Sequence, residues 1–158
     1  MRYKCTKECD AVEQNCIYTG EAHHIIADKQ YWLSIGFQIV PAVIAAVLGV
    51  LVGSGTVPFW FVWLSVMSAV IAAVGNVLNP LKSYYDHLYA AKNFTTLKQD
   101  ARALRDTFSS PMSDSEYIAA AKTLHDRYND LVRFAPPTEK KAFEEARKRV
   151  QSGIHKLD

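Results

Sequence analysis

The sequence predicts an all-α membrane protein: a two-helix transmembrane hairpin carrying a cytoplasmic helical bundle with a coiled-coil-like extension. Three observations lead there. Gln30 to Leu81 is a run of 52 residues without Asp, Glu, Lys or Arg. A short Gly53-Ser54-Gly55-Thr56 turn divides that run into two apolar halves. Beyond it, apolar residues recur at intervals of three and four, the signature of amphipathic helices. The chain divides accordingly into an N-terminal cytoplasmic segment (1–29), the hairpin (30–81) and a cytoplasmic helical domain (82–158).

The apolar halves, 31–52 and 57–78, are 22 residues each. As helices they reach about 33 Å at roughly 1.5 Å per residue, enough for a hydrocarbon layer of about 30 Å. Their clearly polar side chains are Ser34, Gln38, Ser65, Ser68 and Asn76, too few to make the polar face of a soluble surface helix. A secretory signal is not expected, because the apolar run follows 29 residues that carry nine charged side chains and exceeds an h-region in length. Lys29 and Lys82 flank the hairpin while its turn carries no charge. Lysine and arginine mark the cytoplasmic side, so both termini are expected in the cytoplasm and the turn outside.

Residues 1–29 hold Cys5, Cys9 and Cys16, followed by His23 and His24. Cys5, Cys9, Cys16 and His23 supply enough ligand types for tetrahedral zinc, although the spacing matches none of the common paired motifs. The plainer expectation is a short helix or a loosely ordered arm that holds no cofactor. In the first span, Tyr31-Trp32 suits the headgroup boundary and Pro41 predicts a kink. Ala45, Gly49 and Gly53 form a small-residue stripe that lets helices approach closely in lipid. Pro58 suits the first turn of the second span, with Phe59, Trp60, Phe61 and Trp63 as the outer aromatic belt. That span carries two further stripes, Ser65, Ala69, Ala73 and Ser68, Ala72, Asn76. One is expected to face the first span, the other a sister subunit or water.

Asn79 can cap and Pro80 can start the next helix. Its seam runs through Leu81, Tyr84, Leu88, Ala91, Phe94, Leu97, Ala101, Leu104 and Phe108, with Leu88, Phe94, Leu97 and Leu104 as the anchors of an assembly surface. Ser109-Ser110-Pro111 stops it. Ser113 and Glu116 have capping-box spacing and open a helix with Tyr117, Ile118, Ala121, Leu124, Tyr128, Leu131 and Val132 on its apolar face. Pro136-Pro137 ends that one. Thr138 can cap a last helix with Phe143, Ala146, Val150, Ile154 and Leu157 inward. These two helices could lie along the long one and cover its seam.

The formal net charge is +2, too weak and too dispersed for nucleic acid. No phosphate loop, zinc-protease motif or metal-spaced carboxylate set occurs, so an enzyme is not expected. His87, His125 and His155 read as isolated boundary or surface imidazoles. The spans lack ionisable groups, which argues against coupled transport and charged selectivity rings. One hairpin cannot enclose water. A pore therefore needs several copies, with Gln38, Ser65, Ser68 or Asn76 supplying polarity.

In architecture the chain resembles the SLATT family of two-transmembrane effectors from bacterial nucleotide-signalled conflict systems. The likeness lies in the two closely spaced spans and the long helix with its aromatic, Ala-rich start (81–94). It extends through the Tyr-Asn-Asp-Leu helix (128–131), the Pro136-Pro137 turn and the closing helix. It covers roughly residues 25–157. The resemblance implies an effector of the bacterial inner membrane that oligomerises and opens pores in antiphage, abortive-infection defence. It also implies a trigger: a cyclic-oligonucleotide synthase product or a nucleotide-sensing partner protein. Apart from the resemblance, a membrane anchor presenting a helical platform to a cytoplasmic partner remains the rival, and a lipid- or metal-dependent regulator using the N-terminal cysteines a third.

Overall fold

A computed structural model describes residues 2–55 and 58–153. Among these the secondary structure is helical throughout, with no strand: α1 (Arg2–Gly53), α2 (Trp60–Leu78), α3 (Pro80–Ala103), a π-helical turn (Leu104–Phe108), α4 (Asp114–Phe134) and α5 (Lys140–Gln151). Thr56 and Val57 of the expected turn and second span lie outside the described residues, as do Ile154, His155 and Leu157. Two compact units result, Asp28–Tyr84 and a second made of Met1–Ala27 with Tyr85–Asp158.

In the Asp28–Tyr84 unit, the C-terminal half of α1 packs antiparallel to α2. The helices come close at Gly75, where an added Cβ would fall 2.7 Å from the Phe37 Cβ. Further along, Ser68 Oγ donates to the Pro41 carbonyl at 3.3 Å. The α1 helix runs through Pro41 without interruption. Asn79 ends α2 in the left-handed conformation, φ 43°. Its side chain then accepts from Lys82 N at 3.2 Å, so one asparagine closes α2 and opens α3. Large apolar side chains point outward over most of this unit, with Val50 73%, Val77 85% and Trp63 64% exposed. The 18-residue windows of α1 and of the stretch from Trp60 that are apolar enough to cross a membrane are 0% and 6% buried. A core helix of a soluble protein would be covered.

The other unit is organised in the opposite way. Its core joins Cys9, Val12 and Cys16 of α1 to Phe94, Leu97, Ala101 and Leu104, and to Tyr117, Ala121 and Leu124 of α4. The N-terminal segment is therefore neither a short helix nor a loose arm but the first half of α1, and it covers the α3 seam. Cys9, Cys16 and His23 fall seven residues apart, one above the other on a helix with near-heptad packing. Phe94 and Leu97 are fully buried and Leu104 nearly so, with Leu88 half-buried. Three of the four residues expected to anchor assembly, Phe94, Leu97 and Leu104, are thus consumed inside the chain. Phe108, at its far end, is exposed and belongs to the π-turn that replaces the last turn of the expected long helix.

Ion pairs clamp the rim of this core. The buried Glu13 carboxylate accepts from Arg102 Nε at 3.0 Å and Arg105 Nη1 at 2.6 Å. Arg105 also holds Asp106 and Asp10. Arg2 donates to the carbonyls of Ser109 and Met112, tying the start of α1 to the loop before α4. Ser113 and Glu116 form the expected capping box. For α5 the N-cap is Glu139 rather than Thr138, with no side-chain cap bond, and Ala142 and Ala146 are its buried residues. Small residues on this face let α5 sit close, with Tyr18 and Phe143 rings 6.4 Å apart.

Candidate functional site

Several polar residues of the hairpin converge on one crevice. Ser34, Gln38 and Pro41 of α1 and Ala72, Gly75, Asn76 and Asn79 of α2 and its cap line a cleft of about 490 Å³. A second cleft of about 420 Å³ continues along the same helix pair, lined by Pro41, Ala42, Ala45, Leu48, Ser65, Ser68, Ala69 and Ala72. Of the residues singled out for packing or pore lining, Gln38, Ala45, Ser65, Ser68, Ala69, Ala72 and Asn76 therefore lie along the groove between the two helices. Ala73 is exposed away from both clefts. Gly49 and Gly53 are exposed, and a Cβ at either would meet nothing within 4 Å. They do not form the helix contact; Gly75 does.

Two hydroxyls in this unit turn back onto their own helices. Ser34 Oγ donates to Tyr31 O at 2.7 Å and Ser65 Oγ to Val62 O at 2.8 Å. Such bonds let a serine sit among apolar side chains without an outside partner. Aromatic rings cluster at both ends, Tyr31 with Trp32 and Tyr84 at one, Trp60 with Phe61 at the other. Phe61 is the exception to the expected outer belt, since it is buried while Phe59, Trp60 and Trp63 are exposed.

In the helical unit the proposed zinc set does not come together. One heptad step along a helix is about 10 Å at roughly 1.5 Å per residue, so Cys9, Cys16 and His23 cannot share an ion held at bonds of about 2 Å. Among the described residues no group of three metal-binding side chains is close enough to hold a metal. Burial also pushes the Cys9 thiol up, and the Cys16 thiol to about 12, which disfavours the thiolate a metal or electrophile needs. Cys5 is half-buried against the core. These cysteines act as small apolar core residues.

His23 has a different partner. Its Nδ1 lies 2.9 Å from His87 Nδ1, and its ring stacks on Phe94 at 5.6 Å and 14°. His87 is thus buried, not a boundary imidazole. A single imidazole on an amphipathic helix gives no sign of a partner 64 residues away, and only the heptad register of His23 with Cys9 and Cys16 could have indicated an inward position. For the bond to form, one ring donates while the other accepts. Burial first, then the neighbouring His87 and His24, lower the His23 pKa to about 4. Burial also lowers His87, against the opposing pull of Asp86 and Glu139. The pair is neutral at pH 7. His125 stays at the surface, 3.8 Å from Glu8.

A shallow groove of about 270 Å³ lies between α3 and α4, lined by Asp86, Tyr89, Asn93, Leu131 and Phe134 among others. Tyr89 and Phe134 are strongly exposed there. Nothing in it combines a nucleophile with a base.

No protein-family model matches the chain, and no curated protein or solved structure matches it.

Proposed function

We propose that this chain is an oligomeric membrane effector: the apolar hairpin inserts in a bacterial inner membrane and, in multiple copies, opens a pore. The reading places both termini in the cytoplasm and the helical unit there as the receiver of a trigger. The observation that carries it is the contrast within the hairpin. Its outer surface is large, apolar and uncharged, while its few polar side chains gather in one groove. Lipid tails solvate the first. The second gives assembled hairpins, among the described residues, a polar surface within an otherwise apolar layer. The resemblance to SLATT effectors supports the setting, antiphage defence triggered by a nucleotide signal or a partner protein.

Induced expression with a membrane-potential dye tests this. Depolarisation that follows synthesis, and that is lost when the hairpin is deleted, is the expected result. A chain that stays in the membrane fraction without changing the potential would instead be an anchor. The exposed Tyr89 and Phe134 beside the α3–α4 groove favour that second reading, as a platform for a cytoplasmic protein.

A further inference from the structure

Among the described residues, two side chains of the hairpin find no hydrogen-bond partner. These are Gln38 on α1 and Asn76 on α2, which are exposed and line the same cleft. The hydroxyls around them are different. Ser34, Ser65 and Ser68 each donate to a backbone carbonyl, and Asn79 accepts from Lys82 N. The two carboxamides sit at one level, because Phe37 beside Gln38 meets Gly75 beside Asn76. Gln38 lies about 10 Å along α1 from Tyr31, at roughly 1.5 Å per residue, which is well inside the apolar layer on the reading above.

We infer that the Gln38–Asn76 face is the docking surface for a second copy of this chain, carboxamide against carboxamide. The inference rests on the membrane reading. In hydrocarbon there is no water to satisfy an amide, and acyl chains offer neither donor nor acceptor. A carboxamide carries both, so identical faces complement one another about a symmetry axis without any other molecule. Small neighbours, Ala72 and Gly75 beside Asn76, let a second backbone approach. The adjoining cleft lined by Ala45, Ser65 and Ala69 offers room for that neighbour's side chains. Val74, two residues from Asn76, points roughly to the other side of α2 at about 100° per residue. Exposed valines such as Val70 and Val77 suit acyl chains and offer nothing for a partner to pair with.

The test uses the full chain in phosphatidylethanolamine–phosphatidylglycerol vesicles. The Asn76→Cys and Val74→Cys variants are oxidised side by side, the native cysteines giving the same background in both. Preferential intermolecular disulfide formation in the Asn76→Cys variant is expected. In energy-transfer titrations, the Gln38→Leu/Asn76→Leu double variant should self-associate about tenfold more weakly while remaining resistant to alkaline extraction. Equal cross-linking at both positions, or unchanged association of the double variant, overturns the inference and leaves the membrane reading standing. Wild-type chain that is released by alkali overturns both.

Discussion

The two units of this chain solve the same problem in opposite directions. In the unit built from Met1–Ala27 and Tyr85–Asp158, Phe94, Leu97 and Tyr117 are hidden, and the buried Glu13 is paired with two arginines. In Asp28–Tyr84 the valines and tryptophans face outward, and two carboxamides are left open. A sequence of similar helical content thus behaves in one place as though water surrounds it and in the other as though water is absent. The proposal explains the difference by giving the two regions different solvents. It also relocates assembly from the α3 seam, which is full, to the hairpin groove, which is not.

The comparison is sharpest at core positions. Phe94→Ala should cost the helical unit about 3–5 kcal/mol, read by urea unfolding of the tyrosine-rich unit, whereas Val77→Ala should leave that transition unchanged. Surface charge reverses the contrast. Val66→Arg, on an exposed position of α2, should cost about 2.5–3.5 kcal/mol of insertion and drive the chain out of the membrane fraction. Val132→Arg, equally exposed on α4, should change unfolding by no more than about 0.5 kcal/mol. If both arginines are tolerated, the two surfaces face the same solvent.

A pH effect should be confined to the helical unit. The folded His23 pKa is depressed to about 4 from its ordinary 6.5, so the unfolded chain binds more protons between these values and stability rises with pH. Stability is complete above about pH 6.5 and is lost as pH falls toward 4. The loss from His23 alone is on the order of 3.5 kcal/mol, at roughly 1.4 kcal/mol per pKa unit. Urea midpoints at pH 7.5 and 5 should separate in the wild type and draw together in the His23→Leu/His87→Leu variant. Removing both rings leaves neither nitrogen unpaired.

The smallest effect concerns the hairpin contact. Gly75→Ala places a methyl against Phe37 and should weaken the α1–α2 pairing by about 1–3 kcal/mol, measured by titration with sodium dodecyl sulfate. Gly49→Ala, with open space around it, should be neutral or slightly stabilising.

The apolar hairpin was legible because absence of charge over so long a stretch has few explanations, and the α4 start because a capping box is a local device. The N-terminal half of α1 was not. Its inward positions are filled by Cys9, Cys16 and His23, residues more familiar as ligands than as core, so the segment reads as a short helix or loose arm rather than as one side of a packed core. The His23–His87 bond depends on helices distant in sequence, and no local pattern encodes it. Among the glycines, spacing favoured Gly49 and Gly53. The contact went to Gly75, because which face of a helix meets its neighbour is set by crossing geometry rather than by the stripe.

The three tryptophans, Trp32, Trp60 and Trp63, all lie in the hairpin, so their fluorescence reports on that unit alone. In vesicles containing lipids brominated along the acyl chains, the account predicts blue-shifted emission that is strongly quenched by the bromines and little affected by aqueous acrylamide. Red-shifted emission, quenched by acrylamide and indifferent to the brominated chains, would contradict it.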